Sequence, residues 1–140
     1  EGMYAVPGDS AIGGVDDVDR PGVRIGAKLG SAYDLHLTRH LRRAEVVRGD
    51  EGTEAFERHG LEVAAGIRQP LAEYVAAHPG MRLLEPAFME IRQAMAVSAE
   101  RSAAVQEYVR EFVEARKADG AVVAALARAG QDPALAAPAA

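Results

Sequence analysis

Between Val23 and Leu41 the chain changes its hydrophobic period, and comparable changes recur further along. Val23, Ile25 and Ala27 alternate with Arg24, Gly26 and Lys28, the period of a strand. Gly30 and Ser31 then supply a sharp turn and a helix N-cap. Tyr33, Leu37 and Leu41 return every four residues, which is one face of a helix. The pattern predicts a strand, a tight corner and a helix running from Ser31 to Arg42 or Arg43, with arginines at the negative end of its dipole.

The remaining elements follow by the same reasoning. Met3–Val6 reads as a short strand stopped by Pro7-Gly8-Asp9, and Val15–Val18 as a single helical turn. Ala44–Val47 is a second short strand, and Asp50–Arg58 a short helix with Ala55 and Phe56 facing inward and Gly60 closing it. Leu61–Ile67 is almost wholly apolar, as expected of a buried parallel strand. Pro70 suits the start of a helix whose buried face is Leu71, Tyr74 and Val75 and which Pro79-Gly80 ends. Met81–Leu84 reads as a strand and Phe88–Val97 as a last one. Beyond these, Glu100–Ala118 is the most periodic segment of the chain, with Val105, Tyr108, Val109, Phe112 and Val113 on one stripe. Asp119-Gly120 breaks it before a second short helix over Ala121–Ala129, and QDPALAAPAA reads as a fraying tail. Strands alternating with helices predict an α/β domain with a mostly parallel sheet flanked by helices, followed by a C-terminal helical pair.

Composition narrows the function classes. A chain of 140 residues with 49% hydrophobic residues can bury a sizeable core. Its net charge of −5 argues against a nucleic-acid partner. Without cysteine it has neither a disulfide frame nor a thiolate metal site. No apolar run approaches the ~18 residues of a membrane span. The opening EGMYAVPGD has neither the basic nor the apolar stretch of a signal peptide.

Chemistry concentrates at the strand-to-helix corner. There Gly30, Ser31 and Ala32 present backbone N–H groups at the positive end of a helix dipole, an arrangement that attracts anions. His36 and His40 have the i, i+4 spacing that can hold a metal, but Leu37 stands where the HExxH pattern has glutamate, and the pair reads as a solvated helix face. There is no P-loop and no GxGxxG, and no pair of titratable groups suited to acid–base work stands out. The expectation is a protein without catalytic residues, cofactor or metal.

Four segments in order carry a family resemblance. They are Ser10–Val23 with Ile12, Val18 and Arg20-Pro21-Gly22-Val23; Val23–Gly26 with Lys28–Ala32; Gly60–Gly66, reading GLEVAAG; and Gln93–Val97 followed by the long helix and Lys117–Gly120. From about Tyr4 to Gly130 the chain resembles a family 3 extracellular solute-binding protein, the periplasmic receptor of amino-acid-type ABC transporters. The resemblance implies one periplasmic-binding-protein type 2 lobe. Residues 1–97 would be lobe two with both hinge-crossing strands, 98–130 the helices that normally complete lobe one, and 131–140 a flexible tail. It further implies that Gly30, Ser31 and Ala32 hold a ligand carboxylate. The position that reads a ligand ammonium falls on Ile67 or Arg68, neither of which can accept its hydrogen bond, so Arg68 and Gln69 point instead to an acid or another polar solute.

The resemblance also leaves the apolar stripe of the long helix without its usual cover. Burying each such side chain is worth about 1.5–3 kcal/mol, so either the helices fold back on the lobe or a homodimer forms through residues 100–129. By resemblance the compartment is periplasmic, while the lack of a leader in this chain keeps a cytoplasmic place open. Two functions remain open: binding of a small solute, or an interaction module that binds no ligand and associates with itself or another protein.

Overall fold

The structure, a computed structural model, describes all 140 residues. They form two compact units, Glu1–Arg92 and Gln93–Ala140.

The first unit is built on a five-stranded sheet of order β3-β2-β4-β1-β5. Its strands are β1 (Gly2–Pro7), β2 (Arg24–Lys28), β3 (Glu45–Gly49), β4 (Val63–Ile67) and β5 (Met81–Met89). Helix α1 (Ala32–His40) joins β2 to β3, α2 (Gly52–His59) joins β3 to β4, and α3 (Arg68–Ala77) joins β4 to β5. A 3-10 turn at Val15–Asp17 lies where the sequence predicts a single helical turn. The α/β class holds, and the sheet is mixed. β2 pairs in parallel with β3 and β4, whereas β1 pairs antiparallel with its two neighbours, β4 and β5, so β1 alone runs against the other four strands.

Both faces of the sheet are covered, which explains why its central strands are almost wholly apolar. On one face Tyr4, Val6, Ile25, Ala27, Val63 and Leu84 pack with Tyr33 and Leu37 of α1. On the other, Met3, Ala5 and Ala64 pack with Leu71 of α3, with Phe56 and Tyr74 at the margin. Helix α2 approaches closer than side chains would allow. A Cβ on Gly26 would stand 2.3 Å from the Gly52 carbonyl oxygen, and one on Gly52 would stand 1.9 Å from that of Ala65. Glycine at both positions lets the first turn of α2 lie directly on β2 and β4.

Two boundaries differ from the sequence pattern. Helix α1 stops at His40, with Leu41 already extended, rather than continuing to Arg42 or Arg43. The cause is distant in sequence. The Asp19 carboxylate accepts the backbone N–H groups of Arg42, Arg43 and Ala44 at 2.7–3.0 Å, which draws the chain out of the helix into β3. The separate last strand expected over Phe88–Val97 does not form. Phe88 and Met89 instead complete β5, whose ladder with β1 runs from Pro7 opposite Met81 to Gly2 opposite Met89, and residues 90–98 carry no regular secondary structure.

The second unit is a helical pair, α4 (Ala103–Ala118) and α5 (Ala121–Arg128), followed by a 3-10 turn at Pro133–Leu135. Gly120 turns the chain with φ 78°, and the Asp119 carboxylate accepts the Ala121 N–H at 3.0 Å. Val109, Val113, Val122 and Leu126 are half-buried, whereas Val105, Tyr108, Phe112 and Val123 are exposed. No helix of the protein is long and apolar enough to cross a membrane.

Candidate functional site

The chain leaves β2 toward β3 in one direction along the sheet and leaves β4 toward β5 in the other. The two crossovers therefore diverge at the carboxyl ends of β2 and β4, the point in an open α/β sheet where a crevice forms and ligands bind. A cleft of about 330 Å³ lies there. Lys28 enters it from the end of β2, and Ser31, Ala32 and Tyr33 from the start of α1. Glu51, Gly52 and Thr53 come from the start of α2, and Ala65, Gly66 and Ile67 from the end of β4. Pro70 and Leu71 complete it from the first turn of α3. The volume is at the small end of what binds a compact solute.

The corner that the sequence singles out is partly in this cleft. Ser31 and Ala32 line it. Ser31 is the N-cap of α1, its hydroxyl accepting the Asp34 N–H at 3.1 Å, while its own N–H donates to the Lys28 carbonyl at 3.1 Å. Gly30 makes the turn with φ 72°, and its N–H is already engaged, donating to the Asp34 carboxylate at 2.9 Å. A side chain of the protein thus takes one of the donors that the sequence pattern offers to a ligand.

Asp34 is the one buried charged residue. Arg48 of β3 donates to its carboxylate at 3.0 and 3.2 Å, and to the Thr38 hydroxyl at 2.8 Å. Burial by itself would raise the Asp34 carboxyl, but the Gly30 N–H, the Arg48 guanidinium and the Thr38 hydroxyl outweigh it and hold the group below the usual carboxylate range. The glycine corner is therefore clamped to β3 by an ionised carboxylate. Arg48 of β3 is the cationic partner of this clamp.

Arg68 and Gln69 are not brought to the cleft. The Arg68 guanidinium is held by Glu1 and by both oxygens of Glu85, at 2.7 and 3.2 Å, and the Gln69 amide donates to Glu73 at 3.3 Å. Ile67 lines the cleft in their place and adds no polar atom. Glu62, in the GLEVAAG segment, belongs to the opposite end of the strands. Arg24 grips it through Nε at 3.0 Å, Nη2 at 2.7 Å and the backbone N–H at 2.8 Å, and these bonds hold its carboxyl below the usual range.

The two charged residues of the cleft, Lys28 and Glu51, are not among the site residues expected from the sequence. They form an ion pair across the gap between the end of β2 and the N-cap of α2. In the sequence Lys28 ends an alternating run and opens the Lys28–Ala32 segment that carries the resemblance. Glu51-Gly52 shows itself only as a polar step between a strand and a helix. Elsewhere, His36 and His40 stack with ring centroids 4.0 Å apart, and no group of three or more His, Cys, Asp or Glu side chains is placed to hold a metal ion.

No family model matches the chain, and no curated protein matches it. Solved structures do. An ancestral arginine-binding protein bound to arginine is 21% identical with a TM-score of 0.64, over 85% of this chain and 55% of that one. Holo ArgBP from T. maritima is 19% identical with a TM-score of 0.54, over 63% of this chain and 40% of that one. The cysteine-binding protein from Campylobacter jejuni is 22% identical with a TM-score of 0.50, over 59% of this chain and 34% of that one. The chain thus spans about half or less of the solved chains it matches. The family 3 solute-binding resemblance read from the sequence is matched by a shared fold.

Proposed function

We propose that the protein binds a small polar or anionic solute in the cleft between the ends of β2 and β4. The observation that carries this reading is position: the cleft sits at the topological switch point of an α/β sheet, with the starts of α1 and α2 on its rim. The likeness to amino-acid-binding proteins supports it. The reading casts the protein as a binding component rather than an enzyme, and by resemblance a component of a transport system in the periplasm. Titration calorimetry against a panel of amino acids and organic acids tests it. At least one should bind, and Ala32→Phe, which fills the cleft from an exposed position, should abolish that binding. A panel without any binder overturns the proposal.

A second reading rests on α4. Val105, Tyr108 and Phe112 are 40%, 68% and 44% exposed along one face, a stripe suited to self-association through residues 100–129. Light scattering coupled to size exclusion should give the mass of a dimer, and Tyr108→Glu with Phe112→Glu should return the monomer. A monomer in the unaltered protein would remove this reading and leave the first intact.

A further inference from the structure

The chemistry of the cleft walls is more specific than its position. Among its lining side chains Lys28 is the only cation and Glu51 the only anion, and they neutralise each other. The wall from β4 and α3 (Ala65, Gly66, Ile67, Pro70 and Leu71) has no polar side chain. Lys28 and Glu51 are half-exposed, 50% and 57%, and the contact joins a flexible ammonium to a single carboxylate oxygen. A pair of this kind is weak and gives up its partner readily.

We infer that Glu51 is an internal counterion that the ligand displaces, and that the ligand is a small carboxylate with an apolar body and no ammonium group. The inference rests on the solute-binding reading above and names the solute class. A ligand carboxylate replaces that of Glu51 on Lys28, while its hydrocarbon part covers the apolar wall. Released, Glu51 stands at the N-cap of α2, where no side chain caps the first turn and negative charge is favoured by the dipole. A ligand ammonium has no such place. The starts of α1 and α2 both border the cleft with their positive ends, and pairing with an ammonium would draw the released Glu51 away from the α2 N-cap.

Three probes of similar shape separate the alternatives: 3-methylbutanoate, 3-methylbutylamine and leucine, each titrated calorimetrically into the full chain. The expected order has 3-methylbutanoate first, leucine weaker and the amine without effect. Lys28→Gln should weaken 3-methylbutanoate about tenfold or more, the effect of losing a charge-assisted hydrogen bond, and Lys28→Arg should restore it. Glu51→Gln should tighten it several-fold, because the internal competitor is gone. A merely structural pair would not give opposite signs at its two members. Both side chains are half-exposed, so the variants should keep the circular dichroism and melting transition of the parent. If leucine binds best, or Glu51→Gln weakens the carboxylate or leaves it unchanged, this inference fails while the solute-binding reading stands. If neither these probes nor any member of the wider panel binds, both fail.

Discussion

The two ends of the same pair of strands carry opposite kinds of ion pair. At the amino end of β2 and β4, Arg24 holds Glu62 with a forked guanidinium and a backbone N–H, and reaches the Gly60 carbonyl at 2.7 Å. At the carboxyl end, Lys28 meets Glu51 through one ammonium and one oxygen. Both pairs are more than a third exposed, so exposure alone does not distinguish them. Geometry does. A planar fork matched to a carboxylate fixes both partners, whereas a point charge on a flexible stem leaves both free to exchange. One end of the sheet is stapled, and the other is closed only by the contact that the proposed ligand would replace.

The strongest way to break that contrast is to push the elements of the open end apart. Gly52→Val places side-chain atoms where the Ala65 carbonyl lies 1.9 Å from a bare Cβ, so α2 must lift from the sheet. Overpacking of this severity should cost about 3 kcal/mol or more, read as a lower urea midpoint, with any solute binding lost as well.

Next in size is the buried clamp beneath the cleft. Asp34→Ala leaves the Gly30 N–H and the Arg48 guanidinium without their acceptor, at a cost of about 2 kcal/mol in urea unfolding. The pH dependence sharpens the point. Asp34, Asp19 and Glu62 all titrate below their ordinary values in the folded protein. Unfolded carboxyls, near pH 4, take up protons first, so their contribution is fully present above that pH and is lost as pH falls through the lower folded values. Burial and the neighbouring His40 also hold the His36 imidazole below its ordinary value, so stability should decline gently as pH falls below about 6.5 and more steeply below about pH 4. Asp34→Asn should make that fall shallower.

The smallest expected effects test the comparison directly. Arg24→Gln should lower the urea midpoint slightly, given the exposure of the pair, and Lys28→Gln should leave it unchanged. Equal losses in urea titrations of the two variants would mean that the ends are stapled alike.

Much of the first unit is visible in local pattern because the forces that shape it are local. The Ser31 cap, the turns at Gly30 and Gly60, and the buried Tyr33 and Leu37 depend on residues within a turn or two of one another. The candidate site was half legible for the same reason. Ser31 and Ala32 belong to a strand-to-helix corner that any chain of this pattern makes. Arg68 and Gln69 come from position along the chain within the resemblance, and position cannot show that Glu1 and Glu85 hold the guanidinium elsewhere.

Hydrophobic period, caps and breakers by themselves determined most of the strands and helices, the strand expected over Phe88–Val97 excepted, the α/β class, and the glycine-serine corner between β2 and α1. The tertiary structure alone decided that β1 runs against its neighbours, that Asp19 ends α1 early, that Asp34 rather than a ligand takes the Gly30 amide, and that Lys28 faces Glu51. The reason is the order of strands. Lys28 and Glu51 are 23 residues apart in the chain and meet because β3 pairs in parallel with β2 and sets Gly49 opposite Lys28, a register that packing of the sheet establishes and no local period encodes.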